Sequence, residues 1–294
     1  MPANDPILES SFLRKLDSLT LAAKRPFIGQ MKGEKRSLRK GNSIEFTDYR
    51  EYTPGDDLRY VDWNMAARTE KLFLKLFVEE EDILLALLID TSMSMDYGAP
   101  NKLRYALQLG AALGYVGLVN YDRVTVQPYA SGLSRPLPTK RGRVGVPSFF
   151  TYLQQVSAGG STDFTHCLHR FSAASKSKGI AILISDFFDP NWKEGMKSIL
   201  ARGFQVVVFH ILSPDELTPS LTGDLRIVDS ESGESREMSI TPALLSRYKN
   251  ALQEFSGNIQ EFCRKYGADY LSISTEASLE TVTMLSLRKM GILR

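Results

Sequence analysis

At 294 residues the chain has room for one large domain, or for one domain with a smaller appended module. With 43% hydrophobic and 24% charged residues it has the makings of a packed core, and a net charge of +2 gives no overall pull toward nucleic acid or acidic surfaces. Cys167 and Cys263, far apart, point to reduced buried thiols rather than a disulfide framework; no apolar run reaches the ~18 to 20 residues of a membrane span, and the opening MPANDPILES lacks a secretion signal's pattern, so a cytoplasmic protein is expected.

Leu8, Phe12, Leu16 and Leu19 predict one amphipathic helix near the start. Next comes a basic stretch, with Lys32, Lys35, Arg36, Arg39 and Lys40; it lacks interleaved aromatics and reads as a solvated loop or a contact with an acidic protein face, not a nucleic-acid site. Residues 43–77 are too rich in aromatic and apolar side chains for a linker, and predict an ordered module docked on the α/β unit, with a strand over 72–77. Pro54-Gly55 marks a turn there. The opposed charges Arg50, Glu51, Asp56, Asp57, Arg59, Asp62 and Arg68 read as Arg–carboxylate pairs that fix this module, in preference to a catalytic acid pair.

From residue 83 the pattern alternates between strand and helix. Residues 83–89, 179–185 and 204–212 are nearly all apolar, as in strands covered on both faces of a parallel sheet. Residues 122–130 alternate more, with Val124 and Val126 on one side, which places them nearer an edge. Helices are predicted over 102–120, 144–156, 163–175 and 192–202. The first carries Gly110, Gly114 and Gly117 on one face; each glycine costs a helix about 1 kcal/mol relative to alanine, so close packing against the sheet is expected. Gly233 turns a polar hairpin between 225–228 and 236–240, and Thr241-Pro242 opens a helix running to about Tyr266, with Thr as N-cap and Pro at the first position. A strand over 270–274 and a helix with Leu279, Val282 and Leu285 on one face close the chain. The order implies an α/β fold: a doubly wound, mostly parallel, Rossmann-like sheet over residues 80–294, with residues 1–79 as an appended N-terminal module.

In such sheets ligands collect at the carboxyl ends of the strands, where strand order reverses. Asp90 ends the first apolar strand, and Ser92 and Ser94 offer hydroxyls two residues apart in the adjoining loop. Gly159-Gly160-Ser161-Thr162-Asp163 precedes a helix; its glycines permit a sharp turn that brings the Thr162 hydroxyl inward, with Ser161 as the less well spaced substitute. Asp186 leaves the same sheet edge as Asp90. Asp90, Ser92, Ser94, Thr162 and Asp186 thus make a shell of three hydroxyls and two carboxylates suited to Mg²⁺, with Mn²⁺ or Ca²⁺ as alternatives. Asp163 starts the helix; its alternative role is to orient the site from behind the ligands. His166, Cys167 and His169 lack the further ligands a zinc site needs, since only His210 and Cys263 remain, and read as surface or helix-packing residues.

The D-x-S-x-S, the glycine-led Thr162 and the strand-terminal Asp186, in this order, resemble the metal-ion-dependent adhesion site of von Willebrand factor A domains, over residue 80 to the C-terminus. Upstream, Gly41-Asn-Ser-Ile-Glu-Phe, Arg50-Glu-Tyr-Thr-Pro-Gly-Asp-Asp57-Leu-Arg59, Asp62-Trp63 and Ala67-Arg68 are similar to the bacterial domain-of-unknown-function family fifty-eight, whose members pair this segment with a von Willebrand A fold. The resemblance implies a non-enzymatic, metal-dependent protein-interaction adaptor. In it the five residues would hold the cation, some through water, and a partner's Asp or Glu would supply the missing ligand. The family's association with MoxR-type AAA+ ATPases implies such a partner and a role in assembling or activating a protein complex. Many members carry two membrane helices before this segment; none is seen here, and a soluble subgroup is expected. The competing reading is a Mg²⁺-dependent hydrolase or phosphotransferase with Asp90 as nucleophile. Haloacid-dehalogenase-like enzymes place a second Asp two residues on as general acid; here that position is Ser92, which cannot transfer protons near neutral pH, and no Walker-type or G-x-S-x-G motif is present. A protein that is not an enzyme is therefore expected.

Overall fold

The computed structural model of the chain describes residues 6–22, 45–78, 83–231 and 233–294. The chain forms two compact units, one of residues 1–27 with 83–294 and the other of residues 28–82. The described N-terminal residues 6–22 lie in the larger unit. Helix α1 (Ser10–Leu16) is shorter than the apolar spacing suggests, yet Leu8, Leu16, Leu19 and Leu21 are all buried in the larger unit's core. Thr20 and Arg294 exchange two backbone hydrogen bonds of 3.0 Å, so the start and the end of the chain pair as neighbouring extended segments. The apolar burial, not the neighbouring charge-rich stretch, decides where these residues go.

The smaller unit is an antiparallel pair, β1 (Glu45–Glu51) and β2 (Phe73–Val78), connected through α2 (Trp63–Thr69). The strand expected over 72–77 therefore pairs within its own module. Asp62 caps α2 by accepting from the backbone N–H groups of Asn64 and Met65, and also accepts from the Tyr49 hydroxyl at 3.1 Å. Arg50 pairs with Asp56 at 2.9 Å and Arg59 pairs with Asp57. The Thr53 N–H and then Arg50 hold the Asp56 carboxyl down at about 2, and Arg59 does the same for Asp57. Gly55, at φ +107°, makes the turn after Pro54. The basic run from Lys32 to Lys40 and the string Gly41 to Ile44 lie outside the described residues.

The larger unit is built on a six-stranded sheet. In chain order its elements are β3 (Leu84–Asp90), α3 (Lys102–Val119), β4 (Arg123–Tyr129), β5 (Leu137–Lys140), α4 (Val146–Gln154), α5 (Phe164–Ala174), β6 (Ile180–Ser185), α6 (Trp192–Ala201) and β7 (Gln205–Leu212). Beyond β7 come α7 (Pro214–Leu217), the hairpin β8 (Gly223–Val228) and β9 (Ser235–Ile240), α8 (Pro242–Tyr266), β10 (Asp269–Ser274), α9 (Leu279–Thr281), a π-helical turn (Val282–Ser286) and α10 (Leu287–Lys289). The sheet order is β10-β7-β6-β3-β4-β5, parallel except for β5, which pairs antiparallel with β4 at the edge. The strand-to-helix alternation and the doubly wound sheet read from the sequence are present. β5 is an addition to that reading: with four residues, a proline and one buried side chain it carries almost no periodic signal.

The central strands read as continuous apolar runs because both their faces are covered. Leu85, Leu87 and Ile89 of β3 join Ile180, Ile182 and Ile184 of β6 in one core with α1, α3 and α4. Ala86, Leu88, Ala181 and Leu183 face the opposite core with α5, α6 and α8. After β3 the chain moves one way to β4 and later returns to β6 on the other side of β3. Strand order reverses there, which makes the carboxyl ends of β3 and β6 the place where an open α/β sheet binds its ligands.

Two local expectations change. Gly110 and Gly117 do lie against the sheet, where a Cβ would stand 3.1 Å from Ile89 and 2.9 Å from Val124, but Gly114 makes room for the Phe149 ring of α4. At the C-terminus the π turn alters the helical period, so Val282, Thr283 and Leu287 point inward while Leu285 is exposed. No helix among the described residues is long and apolar enough to cross a membrane.

Candidate functional site

Asp90 is the last residue of β3 and is fully buried. One carboxylate oxygen accepts from the Ser92 N–H at 3.0 Å; the other accepts from the Ser185 hydroxyl at 2.6 Å. Both are neutral donors. Burial first, and then the charge of Asp186, push the Asp90 carboxyl up to about 7, against the pull of the Ser185 hydroxyl, the Ser92 N–H and the Ser92 hydroxyl. The loop after Asp90 is pinned at Thr91, whose N–H and hydroxyl both donate to the Tyr129 carbonyl. A 3-10 turn (Met93–Met95) then sets the Ser92 and Ser94 hydroxyl oxygens 3.0 Å apart.

The glycine-led loop is stitched to this turn by backbone hydrogen bonds: the Met93 N–H donates to Gly160 O at 2.9 Å and the Gly159 N–H to Thr91 O at 2.8 Å. Gly160 has φ +78°, so the turn the sequence demanded of these glycines is made with a left-handed backbone. This stitching fixes residues 159–160 of the loop against residues 91–93, and both polar groups of Thr162, two residues on, meet one carboxylate. Its N–H donates to Glu231 Oε2 at 3.1 Å and its hydroxyl to Glu231 Oε1 at 3.3 Å. Asp163 caps α5 through the His166 N–H, and its own N–H donates to Ala130 O; the structure gives its exposed side chain a capping role.

Asp186 comes directly after β6 and is buried beside Asp90. Its Oδ2 accepts from the Lys102 ammonium at 2.8 Å and its Oδ1 from the Phe188 N–H at 3.3 Å. Lys102, the first residue of α3, is itself buried and also donates to Glu216 at 2.6 Å. Burial alone would lower the lysine's pKa; Asp186 and Glu216 more than reverse that and raise it. Glu216 is in turn fixed by the capping box of α7, where its other oxygen accepts from the Ser213 N–H at 2.7 Å. Phe187, between Asp186 and Phe188, has φ +60°, a strained backbone for an aromatic residue. The Tyr97 and Phe188 rings flank the Lys102 ammonium at 5.9 and 5.5 Å.

Four residues of this rim escape sequence reading: Ser185, Lys102, Glu216 and Glu231. Ser185 had the only usable signal, as the hydroxyl immediately before Asp186. The soft-ligand cluster is dispersed. Cys167 is buried with its thiol pushed up to about 12, first by burial, while His166 and His169 are exposed. His210 is buried within β7, shares a 2.9 Å hydrogen bond with Tyr270, and is drawn down to about 4 by burial.

The rim gathers three carboxyl groups (Asp90, Asp186, Glu216) around a single ammonium, Lys102, which is bonded to the last two, at a largely buried place. The Ser92–Ser94 separation of 3.0 Å matches the edge of an octahedron with metal–oxygen bonds of about 2.1 Å. Charge and spacing both fit a small divalent cation.

The family model described as "Protein of unknown function DUF58" matches residues 48–256. The chain belongs to this family. Among curated relatives, the uncharacterized proteins Rv1480 of Mycobacterium tuberculosis (strain ATCC 25618 / H37Rv) and Mb1516 of Mycobacterium bovis (strain ATCC BAA-935 / AF2122/97) are each 27% identical over 298 residues, covering 99% of this chain and 92% of their own. Among solved structures, the conserved hypothetical protein BatB from Bacteroides thetaiotaomicron is 16% identical with a TM-score of 0.46, over 71% of this chain and 98% of that one. The DUF58 match takes in the turn-rich segment from Asp48, the whole candidate site and most of α8.

Proposed function

We propose that this DUF58 protein is a non-enzymatic interaction module whose rim binds a divalent cation, Mg²⁺ in the first place, and through it an acidic side chain of a partner protein. One observation carries the reading: Ser92 and Ser94 set two hydroxyls 3.0 Å apart beside a buried carboxylate pair that has one ammonium for its compensation. Ser92, Ser94 and Thr162 would hold the cation, with Asp90 and Asp186 adding charge directly or through water. When bound, the cation supplies a position that accepts a carboxylate oxygen. The chain's own part is preparation. Ser185 and the Ser92 N–H orient Asp90, Lys102 fixes Asp186, and the backbone bonds between residues 91–93 and 159–160 keep the hydroxyl loops together. Both oxygens of Asp90 are engaged by donors, an arrangement that suits a held ligand better than a nucleophile. The partner that the family resemblance implies is a MoxR-type AAA+ ATPase, in the assembly or activation of a complex.

A capture experiment from native lysate tests this, with Mg²⁺ or chelator and with wild type or Asp90→Ala. Recovery of an AAA+ ATPase only by wild type and only with Mg²⁺ is expected. Equal recovery in all four conditions would sink a site-dependent role. Turnover of a phosphate ester that Asp90→Ala abolishes would instead establish the hydrolase reading.

A further inference from the structure

The hairpin β8–β9 touches the site in a way that its sequence does not announce. No residue of either strand is buried, and neither strand enters either core. An arm with no apolar anchor is held by its polar contacts. At its tip, Glu231 is fixed by its own N–H, which donates to Asp229 Oδ1 at 2.9 Å, and its two carboxylate oxygens take the N–H and the hydroxyl of Thr162 at 3.1 and 3.3 Å. A carboxylate thus lies against a hydroxyl of the candidate shell, and it belongs to the same chain. The base of the arm is Gly223, at φ +82° with no atom near the place of a Cβ, a position that tolerates rotation.

Resting on the interaction-module reading above, we infer that Glu231 is the chain's own occupant of the carboxylate position, and that a partner's acid binds there by displacing the hairpin. Because Glu231 is tethered, it competes at an effective concentration far above that of a free acidic side chain, on the order of millimolar for a short flexible connection. A partner must therefore bring contacts beyond one carboxylate, or the hairpin must be drawn off first. The arm makes the site selective against single acidic groups and leaves it open to a partner that also engages the hairpin.

Hydrogen exchange on the full chain, combined with Mn²⁺ titration, tests this with Glu231→Ala and with Glu237→Ala, an exposed acid of β9, as control. Without metal, the Thr162 amide is expected to exchange roughly threefold to tenfold faster in Glu231→Ala than in wild type or Glu237→Ala, as the loss of a charge-assisted hydrogen bond requires. Equal rates in all three proteins overturn the inference. With Mn²⁺, exchange across residues 223–240 is expected to slow in wild type and not in Glu231→Ala; slowing to the same extent in both also overturns it. Ser92→Ala separates the two readings. If Mn²⁺ binding is absent or indifferent to Ser92→Ala, the cation reading fails, while the Thr162 amide in metal-free protein still decides whether Glu231 holds the position.

Discussion

The two halves of the rim solve the same electrostatic problem differently. On the β6 side Asp186 has a full positive charge, Lys102, which is shared with Glu216 and shut in by aromatic rings. On the β3 side Asp90, equally buried, has a serine hydroxyl and a backbone N–H. Burying an ion costs several kcal/mol unless it is paired, so the first half is a finished structural element and the second is unfinished. On the reading proposed above, the acid without a counter-charge is the one a cation from outside would compensate.

The largest effect expected from breaking this comparison is at Lys102. Lys102→Met leaves Asp186 and Glu216 without their ammonium and should cost about 3–5 kcal/mol in urea unfolding. A loss under about 1 kcal/mol would mean that the β6 side is not the compensated half.

Next comes the pH response of Asp90. Its carboxyl lies at about 7 in the folded chain against an ordinary 3.8. The native state therefore holds this proton more tightly than the unfolded state; the contribution is full below about 3.8 and is lost as pH rises through 7. Metal-free wild type should lose about 2–4 kcal/mol relative to Asp90→Asn between pH 4 and 8, and saturating Mg²⁺ should restore it. A difference between the two proteins that stays flat with pH would show that Asp90 is already compensated.

Ser185→Ala sharpens the contrast further, because it removes the 2.6 Å donor from a buried carboxylate; a loss of about 1–3 kcal/mol by thermal or urea unfolding is expected. The smallest stability effect belongs to Ser92→Ala. That hydroxyl bonds to the Ser94 hydroxyl and is the weakest of the three donors that act on Asp90, so about 1 kcal/mol or less should be lost while Mn²⁺ affinity, read by calorimetry, falls at least about tenfold. A large stability loss with unchanged affinity would make Ser92 structural.

Much of the fold was legible because both faces of β3, β6 and β7 are covered, which forces continuous apolar runs with few alternatives. The hairpin was legible from its polar strands and glycine, and the long α8 from Thr241-Pro242. Features without period were not: the short edge strand β5, the π turn that moves Leu285 outward, and the placement of residues 6–22 in the larger unit. Each depends on contacts between segments distant in sequence.

The same division holds at the site. The sequence by itself determined that Asp90, Ser92, Ser94, Thr162 and Asp186 are local features of three loops at strand or helix ends, because strand termination and glycine turns are short-range effects. Only the tertiary structure decided the charges around them. Lys102 reaches Asp186 across 84 residues, Ser185 reaches Asp90 across 95, and Glu231 reaches Thr162 across 69. Electrostatic compensation acts through space, so the identity of a buried acid's partner is fixed by folding and leaves no pattern in the chain.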